Sequence, residues 1–189
     1  MNKKVTDVFK KGGIVIFPTD TAFGIGCRLD NEDSVKKVYD IRKRPIDKAM
    51  IALVGSVEMA ENYVDIPDDV KEKLTNKYWP GGLTIILNCK KEKVPSIVRS
   101  DGGTLAVRFP NQQVIIDVIN DLGVPIIAPS ANYSGERTPL YISEVDPTLL
   151  AKVDFVLEGM CTIRGISTIV DTTVLPWKIV REGVVQIKN

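Results

Sequence analysis

The sequence predicts one α/β domain over residues 1–189, built on a twisted, open, mixed sheet with helices packed around it. Three observations predict this class. Short Ile- and Val-rich runs bounded by Gly or Pro alternate with stretches of helical period. Several of those runs are apolar on successive residues, as in strands covered on both faces. No linker, internal repeat or low-complexity stretch divides the chain, and 189 residues can bury a core without staples.

The elements follow in order. Ile14–Phe17 is a strand that runs into Pro18. Asn31 caps a helix whose first turn carries Glu32 and Asp33, acids suited to the positive end of the dipole. Val35, Val38 and Tyr39 then recur at helical spacing. Met50–Val54 is the next strand, and Pro67-Asp68-Asp69 opens a second helix. Leu83–Leu87 and Leu105–Phe109 are strands. Asn111 is the expected cap of a third helix, apolar at Val114, Ile115, Val118, Ile119 and Leu122, with Gly123 as its stop. Val124–Ala128 is a strand. Ser143–Lys152 is a fourth helical stretch, interrupted or restarted at Pro147. Asp154–Leu157, Thr168–Asp171 and Lys178–Arg181 complete the strands.

Composition excludes whole classes of chemistry. The chain has no His, so no Ser-His-Asp or Cys-His pair and no His-bearing zinc or iron site can form. Twenty-five Lys and Arg against 24 Asp and Glu give a net charge of +1, which argues against bulk attraction to nucleic acid or membrane and leaves room for a local patch. Cys27, Cys89 and Cys161 are odd in number and widely spaced, which fits free thiols in a reducing compartment. Met1–Lys11 is polar and basic, unlike a signal peptide, and no apolar run approaches the ~20 residues of a membrane span. The expected location is the cytoplasm.

Polar residues collect where strands stop. Pro18 leads into Thr19-Asp20-Thr21, Pro129 into Ser130-Ala131-Asn132, and Phe109 is followed by Pro110. Pro ends a sheet ladder, and ligands in open α/β sheets bind beyond strand carboxyl ends. If these ends converge, Thr19, Thr21, Ser130 and Asn132 share one surface. Turn chemistry alone accounts for any one such loop; two in one domain favour a ligand site. Lys36 to Lys48 is basic, with Lys36, Lys37, Arg42, Lys43, Arg44 and Lys48 against Asp40 and Asp47. Lys36 and Lys37 read as a solvated helix face. Arg44 precedes Pro45, so an extended stretch is expected, with Arg42 and Arg44 on one side. Such a cluster suits a phosphate chain, with an RNA backbone as the alternative. Gly24 and Gly26 lack the third Gly of a dinucleotide fingerprint, and there is no P-loop motif. Arg181-Glu182 reads by itself as a surface ion pair, and Trp79-Pro80-Gly81-Gly82 as a packed turn.

Together, Phe17–Gly24, Arg42-Lys43-Arg44-Pro45 with Lys48, Trp79–Thr84, Ala106–Pro110, Pro129–Gly135, Ser167–Asp171 and Val180–Gly183 resemble the YrdC-like family of threonylcarbamoyl-AMP synthases. The resemblance spans nearly the whole chain and is to the short, single-domain members. It implies a large concave, positively lined cavity. It implies a nucleotidyltransferase that joins L-threonine, bicarbonate and ATP into threonylcarbamoyl-AMP and pyrophosphate for tRNA modification. The basic and Ser-x-Asn residues would be Arg42, Arg44, Ser130 and Asn132. ATP would meet Arg44, Lys48, Thr104, Ser130, Asn132 and Arg181, with Thr138 a further candidate. Threonine would meet Thr21, Arg108 and Ser167, and Mg²⁺ would ride on the phosphates with no metal site on the protein. tRNA or the downstream threonylcarbamoyl transferase complex is the implied partner, and no membrane is. Four positions depart from the family pattern: Arg42 replaces a Lys, Phe23 a Tyr, Ala49 a common Pro, and Leu53 an occasional His. They leave open an RNA-binding module or a carbamoyl-transfer accessory paralogue on the same fold.

Overall fold

The computed structural model describes residues 2–46 and 48–187; Asp47, counted above in the basic stretch, lies outside them. In chain order the elements are α1 (Asn2–Lys10), β1 (Val15–Pro18), β2 (Phe23–Arg28), α2 (Glu32–Ile41), β3 (Ile51–Leu53), α3 (Val57–Glu61) and α4 (Asp68–Val70). A π turn (Lys71–Thr75) leads to α5 (Asn76–Tyr78), β4 (Leu83–Asn88), β5 (Thr104–Arg108), α6 (Gln113–Leu122) and β6 (Ile126–Ile127). A 3₁₀ turn (Ile142–Glu144) precedes α7 (Pro147–Leu150), β7 (Phe155–Val156), β8 (Thr168–Asp171) and β9 (Lys178–Arg181).

The strands form a nine-stranded mixed sheet in the order β7-β1-β2-β6-β3-β5-β4-β8-β9. β1–β7, β3–β5 and β4–β8 are parallel and the other neighbours antiparallel. Alternation along β1 divides the core. Val15 and Phe17 join Val5 and Phe9 of α1 and Ile115, Val118 and Ile119 of α6 on one face. Ile16 joins Ile25, Val35, Val38 and Tyr39 on the other. The two buried faces explain the continuous apolar runs.

Two elements depart from the sequence reading. Met1–Lys11 reads only as polar and basic, yet α1 forms there and buries Val5 and Phe9, one turn apart, among its lysines. β2 lies inside what reads as a polar loop. Its Gly26 is not a turn residue: a Cβ there would sit 1.9 Å from the Ile127 carbonyl oxygen, so glycine lets β2 approach β6.

Helix ends follow the capping rules with one correction. Asn31 Oδ1 accepts from the Ser34 amide at 3.0 Å. α6 is preceded by Gln112 rather than Asn111, without a side-chain cap bond, and Gly123 closes it at φ 69°. Pro147 restarts the 143–152 stretch as α7, capped by Asp146.

The end of α2 also overturns the extended geometry expected at Arg42–Arg44. The Lys43 amide donates to Asp40 O at 3.1 Å and the Arg44 amide to Tyr39 O at 2.9 Å. This is a Schellman closure with Lys43 in the left-handed position (φ 50°). A side chain there costs roughly 1–2 kcal/mol, which is why Gly usually occupies it. Arg42 and Arg44 consequently do not share a side. Among the described residues no helix is long and apolar enough to cross a membrane.

Candidate functional site

The polar loops meet over a narrow cleft of about 60 Å³, lined by Thr19, Thr21, Phe23, Gly24, Ile51, Leu53, Arg108, Ala128, Ser130, Thr138, Ser167 and Arg181 among others. The strand ends do not meet along one edge. β1 and β6 run the same way, and β5 runs opposite to them. β5 lies four strand steps from β1. At about 20–25° per step the sheet turns through roughly 90° between them, and its concave face gathers opposite ends.

Arg108 enters from the end of β5 and is 5% exposed. Its Nε donates to Gly81 O at 2.8 Å, Nη1 to Thr21 Oγ1 at 2.7 Å, and Nη2 to Asp20 Oδ1. Burial lowers its pKa, and Asp20 opposes that shift. Asp20, fully buried, is the site residue that motif reading missed. Its Oδ2 has no protein partner. The available signal was an acid between two threonines, feeding a site rich in arginines.

Thr19 Oγ1 donates to Ala22 O at 2.7 Å. Its two lone pairs take the Thr21 and Ala22 amides at 3.2 and 3.1 Å, so the 3.1 Å contact with Thr21 Oγ1 does not fix the Thr21 proton. Thr21 Oγ1 accepts from Arg108 and keeps one lone pair that can accept a ligand N–H. Ser167 is the reverse. Its Oγ accepts from Thr84 Oγ1 at 2.9 Å and from Arg181 Nη2 at 2.9 Å, leaving its proton for a ligand oxygen. Arg181 also donates Nε to Ser167 O at 3.0 Å, in place of the expected ion pair with Glu182. Burial lowers the Arg181 pKa. Gly183 makes this crossing possible: a Cβ there would lie 2.3 Å from Ile166 O and 2.5 Å from Ser167 C and Thr168 N.

Arg42 stands behind the cleft wall, reaching Ser130 Oγ, and neither it nor Asn132 is among the lining residues. Arg42 is 3% exposed. Nε donates to Asn132 O at 3.0 Å, and Nη2 to Asn132 Oδ1 at 3.2 Å and, at the limit, Ser130 Oγ at 3.5 Å. Nη1 is buried and has no hydrogen-bond partner among the described residues. All its acceptors are neutral, and among the described residues no carboxylate pairs with it. Burial, and then the neighbouring Arg44, pull its pKa down to about 10.

The remaining candidates are spread out. Arg44 spends Nε on Lys48 O at 3.1 Å and Nη2 on Ala49 O at 2.8 Å. Lys48 is exposed, and neither residue lines the cleft. Thr104 is not brought to the cleft. It begins the strand that Arg108 ends, about 13 Å away along β5, and contacts Ser100 Oγ at 2.6 Å. Phe23 and Leu53, two of the departures, form apolar wall.

Residues 7–183 match the model of the Sua5_yciO_yrdC family, described as telomere recombination. The chain is 34% identical over 176 residues to a threonylcarbamoyl-AMP synthase of Pyrococcus abyssi, covering 92% of this chain and 51% of that one. It is 37% identical over 195 residues to a putative threonylcarbamoyl-AMP synthase of Methanocaldococcus jannaschii, covering 99% and 89%. It spans about half the length of the Pyrococcus relative and of a Bacillus subtilis synthase. The structure of Pyrococcus abyssi Sua5 complexed with L-threonine superposes with a TM-score of 0.90 at 31% identity, covering 96% of this chain and 54% of that one. Escherichia coli YciO matches the fold with a TM-score of 0.89 at 24% identity, covering 99% and 91%.

Proposed function

The chain belongs to the Sua5_yciO_yrdC family, and from that premise we propose that it makes threonylcarbamoyl-AMP and pyrophosphate from L-threonine, bicarbonate and ATP. The observation that carries the nucleotide half of this reading is Arg42. A guanidinium buried against neutral acceptors, with one Nη unsatisfied, is costly in isolation. An anion beside it removes that cost, and phosphate suits a guanidinium. Arg108 differs because Asp20 already neutralises it.

Threonine fits the other half. Thr21 Oγ1 has a lone pair for the amine. Ser167 Oγ–H and the two Arg108 N–H groups not used internally can meet the carboxylate. The neutral amine adds to the carbon of carbon dioxide with loss of a proton, or to that of bicarbonate with loss of water, and gives the carbamate. A carbamate oxygen then forms a bond to the α-phosphorus, and the bond from that phosphorus to the pyrophosphate oxygen breaks. The nucleophile comes from the substrates, so the protein's part is placement and charge stabilisation. Arg44, Lys48, Thr138 and Arg181 are proposed around the nucleotide, and Thr104 only if the loop before β5 folds inward. Mg²⁺ is proposed as cargo of the triphosphate, lending charge neutralisation there. Work in the cytoplasm, feeding a tRNA-modifying transferase, completes the proposal.

The test is pyrophosphate release from ATP with and without L-threonine and bicarbonate. Release that depends on both is expected. Folded protein giving none overturns the synthase reading.

A further inference from the structure

We propose that Lys43 and Lys152, gathered on the Tyr133 ring, form an outer anion subsite for the end of a polyphosphate, whether the tail of a bound nucleoside triphosphate or free pyrophosphate. The proposal rests on the nucleotide reading of Arg42 and assigns residues that reading does not use. Lys43 Nζ lies 4.8 Å from the Tyr133 ring centroid and Lys152 Nζ 5.4 Å from it. Both are cation–π distances. The two ammonium groups are therefore no further apart than the sum of those distances, about 10 Å.

Neither lysine has a carboxylate within ion-pair distance among the described residues. The acid that Lys152 feels, Asp146, is occupied as the cap of α7, accepting from Thr148 N at 2.7 Å and Thr148 Oγ1 at 2.6 Å. Because Thr148 donates to Asp146, the Tyr133 hydroxyl donates to Thr148 Oγ1 at 2.7 Å. Lys152 Nζ approaches that phenol oxygen at 3.4 Å. The ring is thus held in place, and it holds two like charges near one another.

The backbone aims Lys43 at this spot. It sits in the left-handed position of the α2 closure, where glycine is the unstrained choice. The Ser134 amide donates to Arg42 O at 2.9 Å, tying the Tyr133 loop to the same turn. Arg42 and Lys43 are consecutive, as are their partners Asn132 and Tyr133. Arg42 is buried and Lys43 exposed, so the two consecutive cations lead from the interior to the surface. Successive cations along one short line suit a chain of phosphates. A nucleic acid would call for a broader basic stripe with open aromatic faces. Here the ring carries two ammonium groups, and the chain's net charge is +1.

The test pairs Lys43→Gly with Lys152→Gln. Glycine suits the left-handed turn, so the double variant is expected to match or exceed the wild-type melting temperature. Titrations use AMP, ATP and inorganic pyrophosphate at constant ionic strength, with a short RNA hairpin as a further arm. The expected result is pyrophosphate and ATP binding weakened about tenfold or more, with AMP binding unchanged. Equal ATP and pyrophosphate affinity in the double variant and the wild type overturns the subsite. So does loss of hairpin binding with pyrophosphate binding intact, which assigns the lysines to RNA. Wild-type protein that binds pyrophosphate but neither nucleotide refutes the nucleotide reading and leaves the subsite standing if the variant loses pyrophosphate. Wild-type protein that binds none of these refutes both.

Discussion

Arg42→Met should separate function from stability. The substitution keeps an unbranched chain and removes the charge. Two opposing terms can be set side by side. The pull of the Arg42 pKa down to about 10 corresponds to roughly 3 kcal/mol against the charged form in the empty site. Removing the guanidinium relieves that. Against it stand two good hydrogen bonds to Asn132, at 3.0 and 3.2 Å, and a marginal one to Ser130. Each contributes about 1 kcal/mol, and the abandoned Asn132 acceptors add a similar penalty. The terms nearly cancel, so the variant should unfold in urea within about 1–2 kcal/mol of wild type. Its kcat/KM for pyrophosphate release should fall by about 100-fold or more, the expected loss of a desolvated charge-assisted phosphate contact. A variant that loses over 3 kcal/mol of stability while keeping its kcat/KM would refute this reasoning and make Arg42 a structural residue.

Asp20→Asn should do the opposite to stability, since it strands buried Arg108 without its counter-ion. A loss of about 3–5 kcal/mol in urea unfolding is expected, and a loss under 1 would remove the pair from the core account. Gly183→Ala should cost stability and activity together, because its Cβ would meet three backbone atoms around Ser167; a melting temperature within 1–2 °C of wild type would show that the strand simply shifts. Arg44→Ala should reduce turnover about tenfold, as loss of a charge-assisted phosphate contact would, and wild-type rates would take Arg44 out of the site. Burial raises the pKa of all three thiols, Cys161 to about 11. Native protein at pH 8 should therefore react slowly with iodoacetamide and fully only in urea; fast native labelling of Cys161 would contradict its environment.

Thr168–Asp171 and Lys178–Arg181 match β8 and β9 residue for residue; their β-branched residues made them legible, although β9 is an exposed edge strand. Gly123 read correctly as a helix stop, since its left-handed φ is what ends α6. β2 was illegible because its glycines serve close strand contact, and local rules assign glycine to turns. α1 was hidden by lysines surrounding a narrow stripe of Val5 and Phe9. In the site, Thr21, Arg108, Ser130, Thr138, Ser167 and Arg181 were named from sequence and line one cleft. Asp20 was not, because its value lies in an ion pair across the fold with a residue 88 positions away. Arg42 was expected in an extended stretch before Pro45, and the structure puts it at the end of α2 instead. Its direction comes from a helix closure, which Pro45 alone does not reveal.

The account's central claim is that a carbon from bicarbonate joins threonine nitrogen to adenylate. The most direct measurement supplies ¹³C-bicarbonate with L-threonine and ATP and follows the products by mass spectrometry and ¹³C NMR. The account predicts a threonine- and adenylate-containing product carrying one labelled carbonyl carbon, formed with pyrophosphate in equal amount. Pyrophosphate released with an unlabelled adenylate, or no adenylate of threonine at all from folded protein, would contradict it.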